Sequence, residues 1–273
     1  MLVNFLCKNF KVYVLDFPGF GFSKEPIKPL GIPFLAEMLN NFITDLNIKN
    51  PIILGHSYGG RVGIEYASRY DNISKLILLS SAGIKHHYVS NTIEIKKYKL
   101  KKWYYKKTHQ VMKYNTLVTT SGSNDYKNAS LVHKKMLSLA VNYNQKKSLK
   151  KIKVETLIIW GENDNVTPLK DAYLMHKKIK SSGLVIVPNA GHFVYLDNFK
   201  IFKAFLWYIL LIKFSKGRRI TVVKNKTNGK KKICAINNKT FLKIIKDKKY
   251  KANEVIIILN DLFVIFNGFI KLM

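Results

Sequence analysis

The fold of this 273-residue chain is decided by one stretch near its amino-terminal end, PIILGHSYGGRVGIEY (residues 51–66). A short apolar run (residues 51–54) is followed at once by two glycines that flank Ser57, and then by a helical pattern. Gly55 and Gly59 leave room for a tight strand-to-helix turn, which holds the serine in a strained conformation and exposes its hydroxyl above a sheet. The alternative is a glycine-rich turn used for packing or phosphate binding, but the strand before it and the helix after it favour a nucleophile.

Short, β-rich apolar runs recur on either side of this turn, with helical stretches between them. Because the runs are continuously apolar, they indicate strands that are buried on both faces, as in a parallel sheet covered by helices. The predicted strands are 11–15, 51–54, 76–79, 157–160 and 184–187, and the predicted helices are 33–47, 58–70, 169–180 and about 197–212. The sequence therefore predicts an α/β fold with a mostly parallel sheet and helices on both of its faces.

Two further polar residues follow later strands of the predicted sheet. Asp164 follows the strand at 157–160, and His192 follows the strand at 184–187. In a parallel sheet the carboxyl ends of the strands share one edge, so Ser57, Asp164 and His192 are expected to converge there. A serine hydroxyl needs a base that takes its proton, and the base needs an acid that orients it. We therefore predict Ser57 as nucleophile, His192 as general base and Asp164 as orienting acid.

Other candidate site residues are weaker. His56 is expected to pack inside the turn rather than act as a base. Glu162 is the nearest rival to Asp164, because it follows the same strand. The remaining histidines lie in a basic insertion or in the middle of a helix, and no pair of them has the spacing of metal ligands. We predict neither a metal site nor a cofactor.

Four motifs together resemble those of the α/β-hydrolase superfamily, in the branch that has a lid between the sixth and seventh strands. They are DFPGFGFS (residues 16–23), GHSYG (residues 55–59), GEND (residues 161–164) and NAGH (residues 189–192). The resemblance implies an α/β-hydrolase fold and hydrolysis of an ester, thioester or similar acyl bond of a small or acyl-chain substrate, through an acyl-enzyme and without a cofactor. It also implies that the backbone N–H of Tyr58 is an oxyanion donor. A serine in the turn counts against the epoxide and haloalkane hydrolases of the superfamily, which use an aspartate there.

The resemblance divides the chain into three parts. Residues 1–84 and 153–212 form the predicted hydrolase core. Residues 85–152 are too many for a simple loop in a compact domain, so they are predicted to be an inserted helical lid. Residues 213–273 lie outside the family pattern and are predicted to be a basic carboxyl-terminal extension. Within that extension, the apolar run at 255–266 is long enough to suggest a membrane span, although Asp261 and nearby asparagines argue against one.

The amino-terminal part of the family pattern has no counterpart ahead of Lys11. Family members normally begin with three strands before this point, and the loop after the third strand supplies one oxyanion donor. In the family that third strand lies between the fourth and the fifth, so its absence predicts that the strands at 11–16 and 51–55 either pair directly or are separated by a gap. Loss of one oxyanion donor typically costs about 10²–10³-fold in turnover. We therefore expect a poorly active or unstable chain, and the alternative function is a truncated hydrolase remnant associated with a membrane surface.

Most of the positive charge lies outside the predicted core. The formal net charge is +31, with 16 Lys and Arg against 2 Asp and Glu in residues 85–152, and 16 against 3 in residues 213–273. Basic segments of this kind favour anionic membrane surfaces or acidic substrates, although the Lys-, Asn- and Ile-rich composition is also what an AT-rich genome produces. A nucleic-acid-binding function is disfavoured, because no recognised motif accompanies the lysines. Two cysteines and no signal peptide predict a cytoplasmic chain, with membrane association through the lid and the tail.

Overall fold

The computed structural model describes residues 1–86, 89–120, 129–211, 221–222 and 254–258. In this part of the chain, seven parallel strands form one sheet in the order β1-β7-β2-β3-β4-β5-β6. The strands are β1 (Lys11–Leu15), β2 (Ile52–His56), β3 (Lys75–Leu79), β4 (Glu155–Gly161), β5 (Ser182–Val187), β6 (Thr221–Val222) and β7 (Glu254–Ile258). The helices are α1 (Leu2–Leu6), α2 (Ile32–Asp45), α3 (Ser57–Arg69), α4 (Val89–Lys107), α5 (Val111–Thr120), α6 (Leu131–Asn142), α7 (Lys146–Lys151), α8 (Leu169–Lys178), α9 (Val194–Asp197) and α10 (Phe199–Leu211).

The sheet separates two apolar clusters, which confirms the prediction of helices on both faces. One cluster joins the sheet to α2, α3 and α8, through side chains such as Leu35, Val62 and Met175. The other joins it to α1 and α10, through side chains such as Leu6 and Phe202. Each strand between them must be apolar on both sides, which is why the continuous apolar runs in the sequence identify strands.

The strand between β1 and β2 comes from the carboxyl-terminal segment. Ile256 of β7 is paired with Tyr13 of β1 on one side and with Ile53 of β2 on the other, and both pairings are parallel. The sequence predicts that β1 and β2 either pair directly or are separated by a gap, and this prediction is wrong because β7 fills the space between them. The physical reason is the apolar run Val255–Ile258, which is buried on both faces of the sheet.

The sequence-based domain boundary is also corrected by this strand. Residues 213–273 are predicted to lie outside the core, but residues 221–222 and 254–258 belong to the sheet. The rest of that segment lies outside the described residues. Where the structure describes the chain, no helix is both long enough and apolar enough to span a membrane. Of the apolar run considered above as a span, the first four residues lie in β7 and residues 259–266 are not described.

The insertion between β3 and β4 is helical, as predicted, and consists of α4 to α7 in its described part. Its carboxyl-terminal end is fixed to α3 by buried polar contacts. The Tyr143 hydroxyl donates a hydrogen bond to Oε1 of Glu65 at 2.9 Å, and the Gln145 side-chain amide donates to the backbone carbonyl of Arg61 at 2.8 Å. Because Glu65 and Gln145 are almost fully buried, these hydrogen bonds hold the base of the insertion against the helix that begins at Ser57.

Candidate active site

Ser57 lies at the junction of β2 and α3, in a tight turn that we call the elbow (residues 55–59). Its φ is +47°, a left-handed conformation that typically costs a non-glycine residue about 1–3 kcal/mol. The backbone packs closely within this turn. A Cβ built at Gly55 would lie only 2.6 Å from the carbonyl oxygen of Gly59. A Cβ at Gly59 would overlap the backbone carbonyl of Ile258. The two glycines of the motif are therefore required by close backbone contacts.

Asp164 and His192 come together at the carboxyl ends of β4 and β5. Nδ1 of His192 lies 3.0 Å from Oδ2 of Asp164, and both residues are 8% exposed. The carboxylate in contact with this ring nitrogen is that of Asp164, not that of its rival Glu162. This hydrogen bond leaves Nε2 of His192 as the ring nitrogen available for a substrate or a nucleophile.

Hydrogen bonds from the loop after β4 hold the Asp164 carboxylate in position to contact His192. Oδ1 accepts hydrogen bonds from the backbone N–H groups of Val166 and Thr167, each at 2.9 Å, and Oδ2 accepts one from the Thr167 hydroxyl at 2.7 Å. Burial raises the pKa of Asp164, but the hydrogen bonds from His192 and Thr167 outweigh it and lower the pKa from 3.8 to about 2. The carboxylate is therefore ionised at neutral pH and can stabilise positive charge on His192.

His56 connects the elbow to the loop that carries His192. It is fully buried, its Nε2 donates a hydrogen bond to the backbone carbonyl of His192 at 2.9 Å, and the two ring centroids are 4.7 Å apart. His56 thus packs inside the turn, as expected. Because it directly precedes Ser57 in the chain, it places the backbone of His192 next to the elbow.

Two further contacts shape the loop that carries His192. A side chain at Gly161, the last residue of β4, would overlap the backbone carbonyl of Gly191, so the glycine lets this loop approach the strand. Asp197 accepts a hydrogen bond from the backbone N–H of Gly191 at 2.7 Å. Both contacts therefore fix the loop at Gly191, the residue immediately before His192.

Tyr58 contributes its backbone N–H near the first turn of α3. The first four N–H groups of a helix have no partner within the helix, and they point toward an anion placed at its end. The side chain of Tyr58 packs on Phe20, with ring centroids 4.7 Å apart, and Phe20 in turn packs on His133 of α6 at 4.8 Å. The insertion therefore covers the residues next to Ser57.

Three residues at this site were not found from the sequence: Thr167, His56 in its contact with His192, and Asp197. The spacing of Asp164 and Thr167 carries a usable signal, because an aspartate that accepts N–H bonds from the next two or three residues is a common local turn. The roles of His56 and Asp197 depend on contacts between distant loops, so nothing in the sequence identifies them. Across the described residues, no group of His, Cys, Asp and Glu is arranged to hold a metal ion.

Comparison with known proteins identifies the family of the chain. The sequence profile of the alpha/beta hydrolase fold matches residues 2–108 and 99–199, which is more than half of the chain. The chain belongs to this family. The matched residues include Ser57, Asp164 and His192, whereas β7 lies beyond them.

Relatives within the α/β-hydrolase family are distant but extend over most of the chain. The AB hydrolase superfamily protein YisY of Bacillus subtilis is 26% identical over 214 residues, which cover 70% of this chain and 78% of that protein. Human monoacylglycerol lipase ABHD6 is 26% identical over 226 residues, covering 72% of this chain and 66% of the lipase. The chain therefore spans slightly less than two thirds of the human lipase.

A solved structure supports the same α/β-hydrolase fold. The esterase EaEST from Exiguobacterium antarcticum has a TM-score of 0.54 and 24% sequence identity to this chain. The match covers 71% of this chain and 79% of the esterase. At this level of identity, the likeness concerns the fold.

Proposed function

We propose that this α/β-hydrolase cleaves an ester or related acyl bond through a covalent acyl-enzyme. Ser57 is the nucleophile, His192 the general base and Asp164 the acid that orients it. The observation that carries the proposal is the 3.0 Å contact between His192 Nδ1 and Asp164 Oδ2, at the edge of the sheet where the strained elbow presents Ser57. The esterase and lipase activities in the names of relatives support an acyl ester as the substrate.

The proposed reaction uses these residues in the following steps. Nε2 of His192 takes the proton of the Ser57 hydroxyl as its oxygen attacks the carbonyl carbon of the substrate. The oxyanion that forms accepts a hydrogen bond from the backbone N–H of Tyr58. When the tetrahedral intermediate collapses, His192 gives the proton to the leaving alcohol and the acyl group stays on Ser57. Water then repeats the same steps, releases the carboxylic acid and restores the serine.

A fluorophosphonate probe tests the nucleophile, because it phosphonylates activated serines. We expect the wild-type chain to be labelled and the Ser57→Ala variant to remain unlabelled. Ser68→Ala is the matched control, since Ser68 lies on the same helix and its hydroxyl donates only to the backbone carbonyl of Glu65. Labelling that persists in Ser57→Ala would exclude Ser57 as the nucleophile.

The alternative is a folded hydrolase remnant without turnover. Reaction with the fluorophosphonate probe distinguishes this alternative from the proposal. A remnant would unfold cooperatively on heating, which shows that it is folded, but it would not react with the probe. The strand β7 counts against the unstable form of this alternative, since it supplies a buried strand between β1 and β2. A chain that unfolds in one cooperative transition and is labelled by the probe would exclude the remnant.

The surface of the insertion supports a substrate held at an anionic interface. Leu100, Trp103 and Tyr104 of α4 and Val111 and Met112 of α5 are all at least half exposed. Lysines surround them, and the ammonium of Lys107 lies 5.0 Å from the Trp103 ring centroid. Basic helices with exposed aromatic and aliphatic side chains bind the boundary between lipid headgroups and acyl chains. We therefore extend the proposal to acyl esters presented at anionic membrane surfaces.

Vesicle binding tests this extension separately from catalysis. The Ser57→Ala chain is expected to sediment with vesicles of mixed phosphatidylcholine and phosphatidylserine, and to remain in solution with phosphatidylcholine alone. The double variant Trp103→Ser, Met112→Ser should lose binding, because it removes apolar side chains without changing the charge. Equal binding by the parent and the double variant would contradict an interfacial role for α4 and α5.

A further inference from the structure

The strand β7 contacts the elbow directly. In the pairing of β7 with β2, Ile258 lies opposite Gly55, so β7 reaches the level at which the elbow begins. The nearest atoms to a Cβ built on Gly59 all belong to Ile258, beginning with its carbonyl oxygen. Gly59 is thus a glycine because the backbone of β7 passes beside it.

The side chains of β7 pack into the apolar clusters on both faces of the sheet. Ile256 and Ile258 belong to the apolar cluster that includes α2 and α3, whereas Val255 and Ile257 belong to the cluster on the opposite face. All four are at most 1% exposed. Parallel strands lie about 4.8 Å apart, so β1 and β2 are about 9.6 Å apart with β7 between them.

The elbow needs support of this kind. Ser57 has a left-handed conformation that persists only when its surroundings impose it. One side of the elbow is held by the hydrogen bond from the Ala82 N–H to the Ser57 carbonyl at 3.0 Å. The other side is held by the contact between Gly59 and Ile258. The segment that supplies the second contact lies outside the part of the chain that matches the family profile.

We propose that residues 254–258 are a positioning strand for the nucleophile, so that hydrolysis by Ser57 requires this carboxyl-terminal segment. The strand acts through the carbonyl group of Ile258 against Gly59, and Ile258 is a positioning residue that does not touch the substrate. This inference rests on the proposed function, because positioning matters only if Ser57 is the nucleophile. The position of β7 in the sheet is tested by a measurement that does not depend on catalysis.

A cysteine pair tests the place of the strand within one chain. In a background with Cys7→Ser and Cys234→Ser, the pair Lys11→Cys and Glu254→Cys joins two positions that are opposite each other in β1 and β7. We expect an intramolecular disulfide, since paired strands have Cα atoms within the usual range of about 4.4–6.8 Å. The control pair Lys75→Cys and Glu254→Cys should remain reduced, because β2 lies between those strands. Failure to cross-link, or a cross-link only between two chains, would overturn the placement.

Substitutions on α3 test the positioning role. Gly59→Ala places a methyl group against the Ile258 carbonyl. Gly63→Ala, one turn later, meets the flexible tip of Leu76 at 3.1 Å and the Ile53 side chain at 3.6 Å, an ordinary contact. We expect Gly59→Ala to lower kcat for a p-nitrophenyl ester by about 100-fold with little change in KM, because small misplacements of a nucleophile have effects of this size. Gly63→Ala should keep most of the activity. Equal kcat values for the two folded variants would overturn the positioning role.

The two measurements separate the two proposals. In one outcome, the wild-type chain hydrolyses no ester and does not react with the probe, while the cysteines at positions 11 and 254 form a cross-link. The proposed function then fails, and β7 lies between β1 and β2 but does not position a nucleophile. If the chain is active and the pair does not cross-link, the inference about β7 fails and Ser57 keeps its role.

Discussion

His56 donates a hydrogen bond from Nε2 to the backbone carbonyl oxygen of His192 at 2.9 Å. The side chain of His56 thus fixes the backbone of His192, and His56 is the residue immediately before Ser57 in the chain. The contact fixes the distance between the end of β2 and the loop that carries His192, because both residues are buried and their rings pack together. It is the structural reason why His56 is suited to positioning rather than proton transfer.

Replacing His56 by alanine is expected to slow labelling of Ser57 by the fluorophosphonate probe by about 10–100-fold, since His192 loses a fixed position relative to the serine. His56→Gln should recover part of the rate, because its amide can donate to the same carbonyl group. Second-order labelling rates, compared at equal fractions of folded protein, provide the measurement. If His56→Gln is as slow as His56→Ala, the hydrogen bond is not what matters.

The low pKa of Asp164 predicts how stability changes in acid. Because the pKa falls from 3.8 in the unfolded chain to about 2 in the folded chain, ionised Asp164 stabilises the fold above pH 4 by about 2 kcal/mol. This contribution is lost as the pH falls from about 4 to about 2. In Asp164→Asn it is absent at every pH. The difference in the free energy of unfolding between the two chains, measured by urea titration from pH 5 to pH 2, should therefore shrink as the pH falls; a constant difference would contradict the assignment.

The hydroxyl of Tyr58 is buried and has no hydrogen-bond partner in the described part of the chain. Burial raises its pKa from 10.0 to about 12, which keeps the phenol neutral. Tyr58→Phe removes an unsatisfied buried polar group, so we expect it to raise the free energy of unfolding by up to about 1–2 kcal/mol and to leave labelling of Ser57 intact. Chemical unfolding measures the change. A clear loss of stability would show that the hydroxyl has a partner.

Gly161 gives a prediction for the loop that carries His192. An alanine at this position would overlap the backbone carbonyl groups of Ala190 and Gly191, and the loop would have to move. We expect Gly161→Ala to lower kcat by about 10–100-fold, through displacement of His192. Gly31→Ala is the control, because its added methyl group would meet only Pro33 at 3.7 Å, an ordinary contact. Similar activity in the two variants would show that the close approach at Gly161 does not position the histidine.

The strands and the order of the site residues could be predicted because they depend on local patterns. β1 begins and ends where its apolar run predicts, and Asp164 and His192 meet because each follows a buried strand of the same parallel sheet. Such positions are determined by a few neighbouring residues and by the direction of the strands. The mutual contact of Asp164 and His192 then follows from the fold.

The position of β7 could not be predicted, since it depends on contacts between distant parts of the chain. The run Val255–Ile258 is continuously apolar, and such a run has the same composition whether it lies in a buried strand or in a membrane. Of its neighbours, β1 lies about 240 positions earlier and β2 about 200, and nothing local in the run identifies them. Gly59 does indicate that another segment approaches its backbone closely, but it does not identify that segment.

The distance in sequence between β7 and its partners determines when the chain can fold during synthesis. At about 5–20 residues per second, a ribosome needs on the order of 10–40 s to proceed from β2 to β7. During that interval the facing edges of β1 and β2 have unpaired backbone groups, which other chains can pair with. Closure of the sheet in nascent chains of this protein is therefore delayed until β7 has been synthesised.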